Sequence, residues 1–351
     1  MNICFILPSF SRRPIGGYKI VFEYANRFAS NGYNVYILFI NENSFEKYSV
    51  PKFFKKIMAK IVTKIEPRWF PLDKSITKFS SVEDCVSILN KVDVCIATGA
   101  ETVEICSKYF CNSKKFYFIQ GFETWVMSEN DLYKTYNSGL KKIVISNWLK
   151  KIVDSHSNEK STLIKNPIDL DKYRIIKPLE KRYKHTVGFL YHSDKNKGTK
   201  YSIEAIKHLI KQYPDLKVYA FGTTDCSEKI PGLVKFIKNA SIDQTIEIYN
   251  EISVFMYSAV NEGYGLTPME AMACGAAVAS TNYEGIREYG MDEINCLLSP
   301  VCDSISLAKN VSKLFDDDEL RYKIARNGIK SLKPMSWDNA FEKFKNEVNK
   351  V

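Results

Sequence analysis

The chain has 351 residues, 45% of them hydrophobic and 26% charged, which excludes a disordered chain or a fibre and leads to an expectation of two domains. No apolar run nears the roughly 20 residues that span a bilayer, no signal peptide is expected at the start, and nine scattered cysteines without a C-x-x-C pair point to reduced thiols in a cytoplasm. Of the net charge of +10, residues 1–165 carry +9 and residues 166–351 only +1; a nucleic-acid partner is therefore not expected, and an anionic ligand or membrane surface is sought on the first half.

Short apolar runs alternate with segments of helical period. Residues 2–8 read as a buried strand, 18–30 as a helix and 34–40 as a second strand. From Pro51 to Ile65, Phe53, Ile57, Ile61 and Ile65 recur every four residues. Phe54, Met58 and Val62 widen that face, and Lys52, Lys55, Lys56, Lys60 and Lys64 lie opposite. Such a helix either packs its apolar face on a sheet, the favoured arrangement, or lies in a membrane interface with its lysines on anionic lipid. Strand-like runs follow at 92–97, 115–120, 142–145 and 162–164, then at 186–191, 217–222, 254–258 and 277–280. Helices are expected at 199–212, 243–251, 268–274, 305–315 and 336–349. This alternation predicts an α/β chain of two parallel sheets covered by helices, with ligands at the carboxyl ends of the strands. The charged segment 174–185, or the residues just before it, marks the linker.

The chemistry concentrates in Asn261-Glu262-Gly263-Tyr264-Gly265-Leu266-Thr267-Pro268-Met269-Glu270, where two glutamates flank seven residues after a strand. Thr267 reads as an N-cap, Pro268 as the first helical residue and Glu270 as the other half of a capping box. On that reading Glu270 does no more than cap. Alternatively, the N–H groups of Gly265, Leu266 and Thr267 form an anion site at a helix start, leaving Glu262 and Glu270 free to hold hydroxyls. Gly16-Gly17, between a strand and a helix, is not the G-x-G-x-x-G of a dinucleotide fold. Asp169-Leu170-Asp171 reads as a helix start and Asp316-Asp317-Asp318 as a junction between helices. With only four histidines at no ligand spacing, no metal site and no cofactor are expected.

The stretch Glu262–Glu270 with Ala271-Met272-Ala273-Cys274-Gly275 resembles the E-x7-E signature of family 4 glycosyltransferases, retaining enzymes of the GT-B fold. Asn166-Pro167-Ile168-Asp169, Lys197-Gly198, Glu284-Gly285-Ile286-Arg287-Glu288, Asn295-Cys296-Leu297-Leu298 and Ser336-Trp337 resemble further motifs of that family, in its order and over about 200 residues. The resemblance implies two Rossmann-like domains facing each other across a cleft. The first would span 1–168, joined by a returning helix at 337–351, and the second 169–336. It implies that Glu270 binds the ribose of a nucleotide-diphosphate sugar, Glu262 the transferred sugar and Lys197 the diphosphate. His192 stands where the family usually has arginine, and Lys195 is the candidate to supply that charge. Gly17 would approach the donor phosphate. Tyr117-Phe118-Ile119-Gln120-Gly121-Phe122-Glu123-Thr124-Trp125 resembles a stretch of bacterial surface-polysaccharide and rhamnosyl-type transferases, which would put Gln120 and Glu123 on the acceptor side. The implied activity is retaining, metal-independent transfer of a sugar to a saccharide or lipid-linked saccharide, in the cytoplasm or on the inner face of the membrane. The alternatives are a nucleotide-sugar epimerase of similar fold and a non-catalytic nucleotide-sugar-binding subunit.

Overall fold

The computed structural model describes residues 1–41, 45, 49, 51–226 and 229–350. The chain forms two compact units, Met1–Asn166 with Phe341–Val351, and Pro167–Ala340. In the first unit the strands are β1 (Asn2–Leu7), β2 (Asn34–Phe39), β3 (Thr77–Phe79), β4 (Val94–Ala97), β5 (Lys114–Ile119), β6 (Lys141–Val144) and β7 (Thr162–Leu163). They run in the order β3-β2-β1-β4-β5-β6-β7, every pair parallel. In the second unit β8 (Thr186–Tyr191), β9 (Lys217–Gly222), β10 (Leu233–Lys238), β11 (Val254–Tyr257), β12 (Ala277–Thr281) and β13 (Leu297–Ser299) are ordered β10-β9-β8-β11-β12-β13, again all parallel. Both are doubly wound sheets, and their strand order reverses between β1 and β4 and between β8 and β11.

Strands β4, β11 and β12 are wholly buried, as helices on both faces of a parallel sheet require. The three strands the apolar runs do not reveal, β3, β10 and β13, are all sheet edges. β3 and β13 are three residues long, too short for an apolar run to stand out, and Val234 and Lys235 of β10 are exposed. The last helix, Trp337–Asn349, buries Phe341 and Phe344 against Phe28 and Tyr24, with ring centroids 4.9 and 4.5 Å apart. That aromatic packing is why residues 341–351 group with the first unit.

The segment 174–185 is no free connection. Arg182 is buried and its guanidinium donates to the carbonyls of Lys177, Tyr249, Ile252 and Cys274. It thereby closes the carboxyl ends of the helices Ile242–Glu251 and Leu266–Ala273, whose last carbonyls lack partners within the helix.

The helix Lys52–Ile65 forms as its period indicates, but the favoured packed arrangement does not hold. It buries the small residues Ala59 and Thr63, while Phe53, Phe54, Ile57, Ile61 and Ile65 face solvent. Among the described residues no helix is long and apolar enough to cross a membrane.

Candidate functional site

The carboxyl ends of β8 and β11 are neighbours in the sheet, and their loops leave at the point where strand order reverses. The β8 loop carries His192, Lys195 and Lys197, the β11 loop Glu262 to Thr267. Three bonds join them: the N–H of Val260 donates to Asn196 O at 2.7 Å, that of Asn261 to the same oxygen at 3.3 Å, and Ser258 Oγ to Gly198 O at 2.8 Å. Gly198 has φ +66°, and a Cβ there would stand 1.8 Å from Ser258 O; only glycine permits this approach. The junction brings Lys197 Nζ onto Glu262 Oε1, with both side chains partly shielded. The other carboxylate oxygen of Glu262 accepts from the Tyr257 hydroxyl.

The helix after Glu262 starts earlier than its sequence suggests. It spans Leu266–Ala273, with Gly265 as N-cap at φ +88° and no side-chain cap. Thr267 is therefore not the cap, Pro268 is the third helical residue, and the capping box with Glu270 is not formed. Gly265 turns the chain left-handed where any Cβ would meet the Tyr283 hydroxyl oxygen at 1.9 Å, so the helix begins directly after it. The first N–H groups of this helix have no partner within it. Glu270 lies one turn in and is buried, and it accepts from the Tyr249 hydroxyl at 3.1 Å.

Sequence reasoning missed the phenols. Burial first, and then the charge of Glu270 or Glu262, push the Tyr249 and Tyr257 hydroxyls well above their ordinary pKa. Both stay protonated and donate to the glutamates. Tyr289 donates to Gly265 O, fixing the start of the helix. The one sequence signal was position, since Tyr257 ends β11 five residues before Glu262.

His192 is half-buried, and its Nδ1 accepts from the N–H of Asp194 at 3.0 Å. Burial, followed by the charge of Lys197, lowers its pKa. The ring is thus a neutral donor through Nε2–H, in place of the permanent charge an arginine would bring. Lys195 is exposed in the adjoining turn Lys195–Lys197.

In the first unit Gly17 is the second residue of the helix Gly16–Ser30. A Cβ there would lie 3.4 Å from the side-chain amide of Gln120. Gln120 Oε1 is buried without a hydrogen-bond partner. Glu123 is buried. Its Oε2 accepts from the N–H of Ala100 at 2.6 Å and from the Tyr117 hydroxyl at 3.1 Å. Burial raises its pKa to about 7, against the opposing pull of those two donors.

The whole fold resembles two solved structures. Sucrose-phosphate synthase from Thermosynechococcus elongatus superposes with a TM-score of 0.76 over 99% of this chain and 98% of its own, at 14% identity. HepE of Anabaena, solved with UDP and glucose, does so with 0.76 over the full length of both chains, at 13% identity. The fold is GT-B, and at these identities the likeness is one of fold.

Residues 172–331 match the family described as glycosyl transferases group 1. The capsular polysaccharide biosynthesis glycosyltransferase CapM of Staphylococcus aureus is 26% identical over 215 residues, 54% of this chain and 56% of its own. An uncharacterized glycosyltransferase of Methanocaldococcus jannaschii is 25% identical over 209 residues, 59% and 58% of the two chains. The chain spans about half the length of these curated relatives.

Proposed function

We propose that the chain is a retaining, metal-independent glycosyltransferase that moves a sugar from a nucleotide-diphosphate sugar to a saccharide or lipid-linked saccharide, at the cytoplasmic face of a membrane, in bacterial surface glycan synthesis. The observation that carries this reading is the Lys197–Glu262 pair beside the start of the helix Leu266–Ala273. An ammonium and free N–H groups suit a diphosphate, and the neighbouring carboxylates suit sugar hydroxyls. The group 1 match, the capsular role named for CapM and the UDP and glucose bound by HepE support the same reading.

On this proposal an arriving diphosphate draws Lys197 from Glu262, which Tyr257 continues to hold. Glu262 then meets the transferred sugar and Glu270 the nucleotide ribose. As the bond to the sugar breaks, charge grows on the leaving phosphate, and Lys197 with the helix N–H groups offsets it. Lys195 supplies the second positive charge that neutral His192 does not. The acceptor hydroxyl gives its proton to the departing phosphate on the same face, so configuration is retained.

A thermal-shift panel of UDP, GDP, TDP and CMP identifies the nucleotide, and turnover of the matching nucleotide sugar tests the activity. Lys197→Ala should lower kcat more than it raises KM, because the phosphate charge is greatest in the transition state. Nucleotide binding without any release of nucleotide, with or without acceptor, would instead mark a binding subunit.

A further inference from the structure

The helix Lys52–Ile65 carries an apolar face that the described residues leave open. Phe53 is 68% exposed, Phe54 56%, Ile57 37%, Ile61 53% and Ile65 45%. At helical spacing these five side chains fall within one arc of about 120°. Large apolar groups collected in this way on a domain surface mark a contact site.

The opposite side of the helix fixes where that face lies. Asn41 Nδ2 donates to Thr63 Oγ1 at 2.8 Å, and Asn41 Oδ1 accepts from the N–H of Phe10 at 3.0 Å. Phe10 follows β1 and Asn41 follows β2, so the helix is seated at the carboxyl ends of those strands, the edge where doubly wound sheets bind ligands. Trp69 Nε1 donates to Ser11 O at 2.9 Å. The loop bearing Arg12 and Arg13, which leads to Gly17, therefore lies beside the segment that follows the helix.

The charges around this face are positive. Lys56 pairs with Glu83 and Lys60 with Asp84, each at 2.7 Å. Lys52 and Lys64 are exposed and have no ion-pair partner among the described residues, and Arg12, Arg13 and Arg68 are exposed as well.

We propose that this face docks on an anionic lipid surface. The phenylalanines and isoleucines enter the headgroup boundary, and Lys52, Lys64 and the three arginines meet lipid phosphates. A second copy of the chain would also cover the apolar arc, but it would set like charges against each other, and lipid phosphate does not. The inference rests on the membrane location proposed above and names the surface that would produce it. The acceptor edge of the first sheet would then be held close to the membrane, where a lipid-linked saccharide is met.

The test is flotation with vesicles of phosphatidylcholine alone and of phosphatidylcholine mixed with phosphatidylglycerol, with turnover on a soluble acceptor measured in parallel. The parent protein should float with the anionic vesicles only, and less as salt rises. Lys52→Gln with Lys64→Gln should lower partitioning about 30-fold, from roughly 1 kcal/mol per basic residue near such a surface. Phe53→Ser with Ile57→Ser and Ile61→Ser should abolish it, with thermal unfolding unchanged because these side chains already stand in solvent. Failure of the parent to float with anionic vesicles overturns the proposal. So does an apolar triple variant that floats like the parent, or a parent dimer that this variant converts to monomer. Flotation as expected without any nucleotide-sugar turnover leaves the surface standing and removes the transferase reading.

Discussion

Glu270 is a buried carboxylate facing a phenol, and what it does for a ligand can be separated from what it does for the fold. Glu270→Ala should weaken nucleotide binding by about 1.5–3 kcal/mol if the ribose hydroxyls bond to the charged group. Titration calorimetry with the nucleotide found in the thermal-shift panel measures this. A fall in melting temperature with unchanged affinity would reduce Glu270 to a partner of Tyr249. Glu123 offers a second test, of pH dependence. Its folded pKa of about 7 lies above the ordinary 4.5, so between those values the folded chain holds a proton that the unfolded chain has released. Stability from this group is fully present below pH 4.5 and is lost as pH rises toward 7, by at most about 3 kcal/mol. Glu123→Gln should remove that slope in urea unfolding across the window, and an unchanged slope would assign it to other groups. Lys197, Glu262 and Glu270 were legible as candidates because the motifs that contain them stand out along the chain. Tyr249 and Tyr257 were not, since a buried tyrosine at the end of a helix or strand has the same sequence pattern as a core residue. The inward turn of Glu123 was hidden for a related reason. Its partners, Ala100 and Tyr117, lie on other elements, and no local pattern records them.

At the scale of elements, the site depends on how closely two loops approach. Gly198 and Gly139 are both left-handed, with φ +66° and +80°, but a Cβ at Gly139 would meet nothing within 4 Å. Alanine at either position carries the backbone strain of about 1–3 kcal/mol. Only at 198 does it also collide with the backbone at Ser258, which can relieve the clash only by separating the β8 and β11 loops. Gly139→Ala should therefore lower the melting temperature modestly and spare turnover. Gly198→Ala should lower it further and reduce kcat, because separating the loops carries Lys197 away from the start of the helix Leu266–Ala273. Equal losses of stability, with turnover intact in both, would show that the junction does not position Lys197. Most elements could be read in advance because central strands and their covering helices need long apolar patterns. Two kinds of feature escaped. The edge strands β3 and β13 are too short, and β10 too exposed, to leave such a pattern. The start of the helix Leu266–Ala273 was misplaced because Thr267 and Pro268 look like the beginning of a helix, whereas the left-handed Gly265, crowded by Tyr283 and bonded by Tyr289, sets it. The helix Lys52–Ile65 was legible as a helix, but which of its faces would be covered depended on Asn41, some twenty residues away, binding Thr63.

For the whole molecule, each unit has its own sheet and its own buried core, so each has the means to unfold as a separate cooperative body. The residues proposed to bind the donor are divided unequally between them. Lys195, Lys197, Gly265, Leu266, Thr267 and Glu270 belong to Pro167–Ala340, and Gly17 alone belongs to the first unit. A nucleotide that binds only the folded form stabilises it by about 2.7 kcal/mol at 100 times its dissociation constant. For a unit of this size 1 kcal/mol shifts the melting temperature by roughly 2–4 °C, so a rise of about 5–10 °C is expected. Differential scanning calorimetry should show two transitions, with free nucleotide raising the one that belongs to the second unit and leaving the other near its original temperature. Glu270→Ala identifies the transition, since only the second unit's melt should then lose its response to nucleotide. An equal rise of both transitions with nucleotide alone would mean that the base, ribose and phosphates are gripped by both units, and the assignment of the donor to residues 192–270 would have to be widened to the first sheet.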